Sequence, residues 1–124
     1  MTTKETEAVA FAKPGGEACG AAGSRPIDLA HLSRQTLGDR AVEEEVLSLF
    51  MQQAATVCEK ISAADPDERR QLAHGLKGSA LGIGAFAVAD AASALETDPA
   101  AKPLVKTLSR RVGEAREFIA AISR

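Results

Sequence analysis

From Arg40 to about Ala64, apolar side chains return at every third or fourth residue: Val42, Val46, Phe50, Ala54, Val57 and Ile61. Glu43, Glu44, Gln52, Glu59 and Lys60 fall between them. At about 3.6 residues per turn, that spacing gathers the apolar set into one stripe of an amphipathic helix. A helix with a single apolar stripe must bury it against other elements. What the rest of the chain offers therefore decides the fold.

It offers more helices. "DPDE" supplies a turn and a start, with Asp65 as cap and Pro66 at the first helical position. Leu72, Ala73, Leu76, Ala80 and Ile83 then face inward, and Gly82 and Gly84 bracket the end. Ala85 to about Thr97 reads as a short Ala-rich helix. "TDPAAKP" breaks it, with Asp98 and Pro99 expected to open a last helix that buries Leu104, Val105, Leu108, Val112, Ala115, Ile119 and Ile122. Upstream, Asp28 can cap a short helix whose Ile27, Leu29, Leu32 and Leu37 close one end of the core. "GD" at 38–39 ends that helix, and Asp39 caps the next. The pattern predicts an all-α fold: an antiparallel four-helix bundle over residues 26–124, with a short additional N-terminal helix. Residues 1–25, rich in Gly, Ala and Pro, are predicted to be a flexible tail.

Composition narrows the function classes. A chain of 124 residues supports one domain with a real core. A net charge of −2 without a basic face predicts no nucleic-acid partner. No apolar run approaches the roughly 20 residues of a membrane span, and the N-terminus has no signal-type apolar region. A cytoplasmic chain is expected. Cys19 and Cys58 sit in unlike settings and suggest two free thiols, not a disulfide. No ligand spacing predicts a metal site.

The chemistry concentrates in "AHGLKGSALGIGAF", residues 73–86. Its glycines, lysine and serine suggest a phosphate loop, but such a loop needs G-x-x-x-x-G-K-[ST] between a strand and a helix. Here Lys77 precedes Gly78, and the segment lies inside a helix. The helical alternative has geometric content. Arg70, His74, Lys77, Gly78 and Leu81 share one face, roughly opposite Leu72, Leu76 and Ile83. His74 is therefore predicted to be exposed, with a cation one turn to either side. Gly78 costs the helix about 1 kcal/mol relative to Ala and leaves bare backbone beside the imidazole. His31 has no comparable setting and reads as a packing or surface residue. Ser79 has no acid–histidine pair to activate it and reads as a small residue for helix packing.

The same stretch closely resembles the signature of histidine phosphotransfer domains, H-x-L-K-G-[SA]-[SA]-x-x-[hydrophobic]-G-[small]. His74, Leu76, Lys77, Gly78, Ser79, Ala80, Ile83, Gly84 and Ala85 fill its positions. The resemblance covers about residues 26–122. It implies a phosphocarrier of multistep two-component signalling, without an ATP-binding or kinase domain of its own. His74 would be the phosphorylated residue, Lys77 would lie beside the phosphoryl oxygens, and Gly78 would keep the ring approachable.

The resemblance also implies an acid or amide that hydrogen-bonds the ring from twenty-two residues downstream, which here is Glu96. With a turn near residue 84 and about 1.5 Å of rise per residue, His74 and Glu96 stand at heights differing by only about 3 Å. The implied partners are response-regulator receiver domains and a sensor histidine kinase, with Arg70 and Leu81 on the docking surface. No cofactor is expected in the chain itself, Mg²⁺ coming with the receiver. A monomer is expected, since an exposed relay histidine needs free access. Two rival readings stand beside it: a helical adaptor that keeps the bundle and binds partners without being phosphorylated, and the phosphorylation domain of a chemotaxis-type kinase separated from its catalytic part.

Overall fold

In a computed structural model, which describes residues 25–123, three aspartates start three of the helices. Asp28 accepts from the His31 N–H and opens α1 (Leu29–Thr36). Asp39 accepts from the Ala41 and Val42 N–H groups and opens α2 (Arg40–Ile61). Asp65 accepts from the Glu68 N–H ahead of Pro66 and opens α3 (Pro66–Ile83). Each such cap is worth about 1 kcal/mol over an alanine. Two further helices follow, α4 (Phe86–Thr97) and α5 (Lys102–Ile122). No strand occurs among the described residues. The expected tail, apart from Arg25, lies outside them.

The last helix opens later than the sequence suggests. Asp98 still donates its N–H to Ala94 O, so it closes α4 and does not cap α5. Ala101 stands in the capping position, and Pro103, not Pro99, occupies the first turn. There its missing N–H leaves no helical hydrogen bond unmade. α2 likewise ends at Ile61, a few residues short of Ala64.

α2, α3, α4 and α5 pack as a ring of neighbours, with α1 laid across α2 and α3. Their shared core holds Phe50, Ala54, Val57 and Ile61 from α2 and Ala73, Leu76, Ala80 and Ile83 from α3. α4 adds Val88, Ala89, Ala92 and Leu95, and α5 adds Leu108, Val112 and Ala115. Short alanine side chains let α4 lie close to α3, which sets the distance at the site described below. Ile27 and Leu32 close one end. Leu37 does not: it is 93% exposed, because it is the left-handed residue (φ 56°) that terminates α1. Val42 is also exposed, while Leu47, which the stripe did not include, is buried next to the partly buried Val46. Leu72 is only partly buried. Ile122 is exposed in the final turn, while Phe118 packs on the core.

Two contacts fix the ends of the bundle. At one end the Asp28 N–H donates to Gly84 O at 2.9 Å. Gly84 has φ 85°, and a Cβ there would lie 2.9 Å from Asp28 O. At the other end the buried Arg69 guanidinium donates to Ile61 O (2.8 Å), Ser62 O (2.8 Å) and Pro99 O (3.1 Å). One side chain thus satisfies the C-terminal carbonyls of α2 and ties down the segment that follows α4.

Candidate functional site

The site is built where α3 and α4 run side by side. His74 lies two turns into α3 and its side chain is 69% exposed. Glu96 lies in the last turn of α4. The two meet, with His74 Nδ1 2.8 Å from Glu96 Oε2. An ionised carboxylate only accepts hydrogen bonds, so Nδ1 carries the ring proton and donates it. In the neutral ring, Nε2 then keeps the lone pair. Glu96 has a second partner. Its Oε1, shut off from water, meets the Lys77 ammonium at 2.7 Å. Hydrogen bonds from Lys77, first, and from His74 hold the Glu96 carboxyl below the ordinary glutamate range.

The backbone explains why these three converge. His74 and Lys77 are three residues apart and therefore neighbours on one flank of α3. Gly84 turns the chain straight into α4 and brings Glu96 back to their height. Arg69 then anchors Pro99, three residues beyond Glu96, so the end of α4 is fixed to α3.

The other sequence-derived residues are placed as follows. Gly78 is exposed one turn beyond His74, and a Cβ there would meet nothing within 4 Å. Gly82 is equally open, and Gly75 would touch only the Gln53 side chain, at 3.9 Å. This part of α3 thus presents bare backbone beside the ring. Leu81 is 46% exposed. Arg70 reaches back to Asp67 at 2.8 Å, so neither cation flanking His74 is unengaged. Ser79 is half-buried in α3.

His31 belongs to α1, where its ring packs edge-on against Phe86 with centroids 5.3 Å apart. Its Nε2 is shut off from water and has no hydrogen-bond partner among the described residues. Burial pushes the Cys58 thiol up, against the opposing effects of Ser109 and Arg116. Cys19 lies outside the described residues. Among those residues no cluster of three or more His, Cys, Asp or Glu forms a metal site. No helix among them is long and apolar enough to cross a membrane.

Sequence reasoning missed Arg69 as the support of this site. The signal was present: Arg69 shares the four- and three-residue spacing of Ala73, Leu76, Ala80 and Ile83, the buried face of α3. It also left the Lys77–Glu96 contact unread: the ammonium lies 2.7 Å from Glu96 Oε1.

The sequence of this bundle is matched by a family profile. The profile, described as the Hpt domain, covers residues 45–123, more than half of the chain. The chain belongs to the Hpt domain family. No curated protein and no solved structure matches it. Hpt domains are helical bundles that carry phosphoryl groups in two-component phosphorelays and have no kinase activity of their own. The match begins within α2 and runs through α5.

Proposed function

We propose that this Hpt domain is the phosphocarrier of a multistep relay, with His74 Nε2 as the atom that bears the phosphoryl group. The observation that carries this reading is the pairing of exposure and orientation. His74 is the most accessible member of its cluster, and its other ring nitrogen is tied to Glu96 at 2.8 Å. A ring held in the Nδ1–H tautomer offers a nucleophilic lone pair without needing a general base.

The step balances as a displacement. The Nε2 lone pair attacks the phosphorus of an aspartyl phosphate on a receiver domain, or of a kinase phosphohistidine. The bond from phosphorus to the donor breaks, and its electron pair returns to the donor carboxylate or imidazole. Delivery to a second receiver aspartate is the same step reversed. On this reading the chain acts as a monomer, and Mg²⁺ is held by the receiver. The protein's part is positioning. The receiver docks over the bare backbone at Gly75, Gly78 and Gly82, with Leu81, Arg70 and the 56% exposed Leu49 of α2 around it. Leu49 precedes Gln53, which faces Gly75, by one helical turn.

The test is transfer from phosphorylated receiver domains of the same organism to wild type and to His74→Ala, followed by intact mass. Acid-labile, alkali-stable label on wild type and none on the variant is expected. If no receiver or kinase labels wild type, the bundle is a docking adaptor and the relay reading is wrong.

A further inference from the structure

We propose that the apolar run at residues 8–12, AVAFA, docks on its own bundle, in a step between α1 and the projecting end of α5, above the start of α4. The occupant is thus a segment of this chain that precedes the described residues. Its seat lies apart from His74, which is ten residues below Gly84 on α3, about 15 Å along the helix.

The step follows from helix lengths. α4 has 12 residues and α5 has 21, and a short turn joins them. At about 1.5 Å per residue, the end of α5 projects roughly 13 Å past the first residue of α4. Ala115 is the last buried residue of α5. Ile122, two turns further along the same inward stripe, is 38% exposed because nothing stands opposite it. Phe118 beside it is only partly buried. On the other side, α1 packs over α2 and α3, and its His31 ring stands edge-on against Phe86. Apart from α3 and α5, no described helix packs on α4. Phe86, at its start, is left 41% exposed. Scattered apolar residues on a surface are ordinary. An inward-facing stripe that runs on past its last covering element is not.

Three observations select the occupant. The chain enters the bundle at this end: Ile27 is buried, and the Asp28 N–H is bonded to Gly84 O, just ahead of α4. Of the 24 residues before Arg25, the run at 8–12 supplies Val9 and Phe11, the large apolar side chains of that stretch apart from Met1. The 12 residues between Ala12 and Arg25 include four glycines. A glycine-rich stretch of that length spans roughly 20 Å, about the width of two packed helices. The run therefore reaches the step, at an effective concentration on the order of millimolar, so two apolar side chains of weak affinity suffice. The third observation is charge. Asp90 lies one turn beyond Phe86 on the same face of α4. It has no ion-pair partner among the described residues, and burial pushes its carboxyl up. Lys13, directly after the run, brings a cation to it.

The experiment is paramagnetic relaxation in the full chain. A nitroxide is attached at Thr6→Cys, and Cys19→Ser and Cys58→Ala remove the native thiols. Docking should broaden the amides of residues 86–90 and 118–122 most strongly. Phe11→Asp, a change outside the bundle core, should abolish that pattern and leave the amide shifts of α2 and α3 in place. Phe86→Ser, at the seat, should abolish it as well. Broadening that is uniform, that centres on Gly78 and Leu81, or that survives Phe11→Asp overturns the proposal. A mixture of nitroxide-bearing chain and ¹⁵N chain without a label identifies whose run is seated. No broadening of the ¹⁵N chain is expected. The same pattern in the mixture means that one copy seats its run on another, and it overturns docking within one chain.

Discussion

Glu96 has two oxygens and two cationic or proton-donating neighbours, and its acid–base behaviour records both. Lys77 and then His74 stabilise the carboxylate, so the folded chain releases this proton more readily than the unfolded chain does. The sign follows by linkage. The contribution to stability is complete above the ordinary glutamate value of 4.5 and is lost as pH falls through the lower folded value. A side-chain carboxyl titration by NMR should give Glu96 a midpoint below 4.5, and Lys77→Met should move it upward. A wild-type midpoint at or above the ordinary value would contradict the paired geometry. The His74–Glu96 meeting was legible through the family resemblance, with backbone rise showing only that the two residues stand at nearly the same height. The Lys77–Glu96 pair was not, because a four-carbon side chain reaches either its own helix face or the neighbouring helix.

At the scale of elements, one guanidinium joins three helices. Arg69 closes the end of α2, lies in the first turn of α3 and holds the chain just after α4 through Pro99 O. Truncating it leaves these carbonyls buried without donors, and each such loss costs about 1–3 kcal/mol. Arg69→Ala should therefore lower stability by about 3 kcal/mol, read as a lower urea midpoint. A loss within about 0.5 kcal/mol, the range usual for surface substitutions, would show the staple to be idle. Helix starts at Asp28, Asp39 and Asp65 were readable because capping is local chemistry. The start of α5 was not. Asp98-Pro99 looks like a helix opening, yet Arg69 captures the Pro99 carbonyl and Asp98 stays bonded to α4, so a contact from thirty residues away overrides the local signal. The stripe of α2 was right from Val46 onward, but its first turn is exposed at Val42, and Leu47, outside the stripe, is buried beside Val46.

Over the whole molecule, the core and the proposed transfer face are separable. The apolar interior is complete without Gly78, whose missing side chain leaves open space, not a filled contact. A glycine inside a helix lowers stability by roughly 0.8–1 kcal/mol relative to alanine, and nothing inside this bundle recovers that loss. Gly78→Ala should therefore raise stability by up to about 1 kcal/mol. The same methyl group would stand one turn along α3 from His74, on the face over which the proposed receiver docks, so on the relay reading the variant should transfer phosphoryl more slowly. Leu81→Asn removes exposed apolar surface from that face and should weaken receiver binding while leaving the melting temperature nearly unchanged. Gly84→Ala supplies the contrast, since its φ of 85° and the 2.9 Å approach to Asp28 O make it destabilising. Melting temperature and transfer rate measured on the three variants should move in three different patterns. A Gly78→Ala protein that is more stable and transfers as fast as wild type would mean that the receiver approaches His74 from another side of α3.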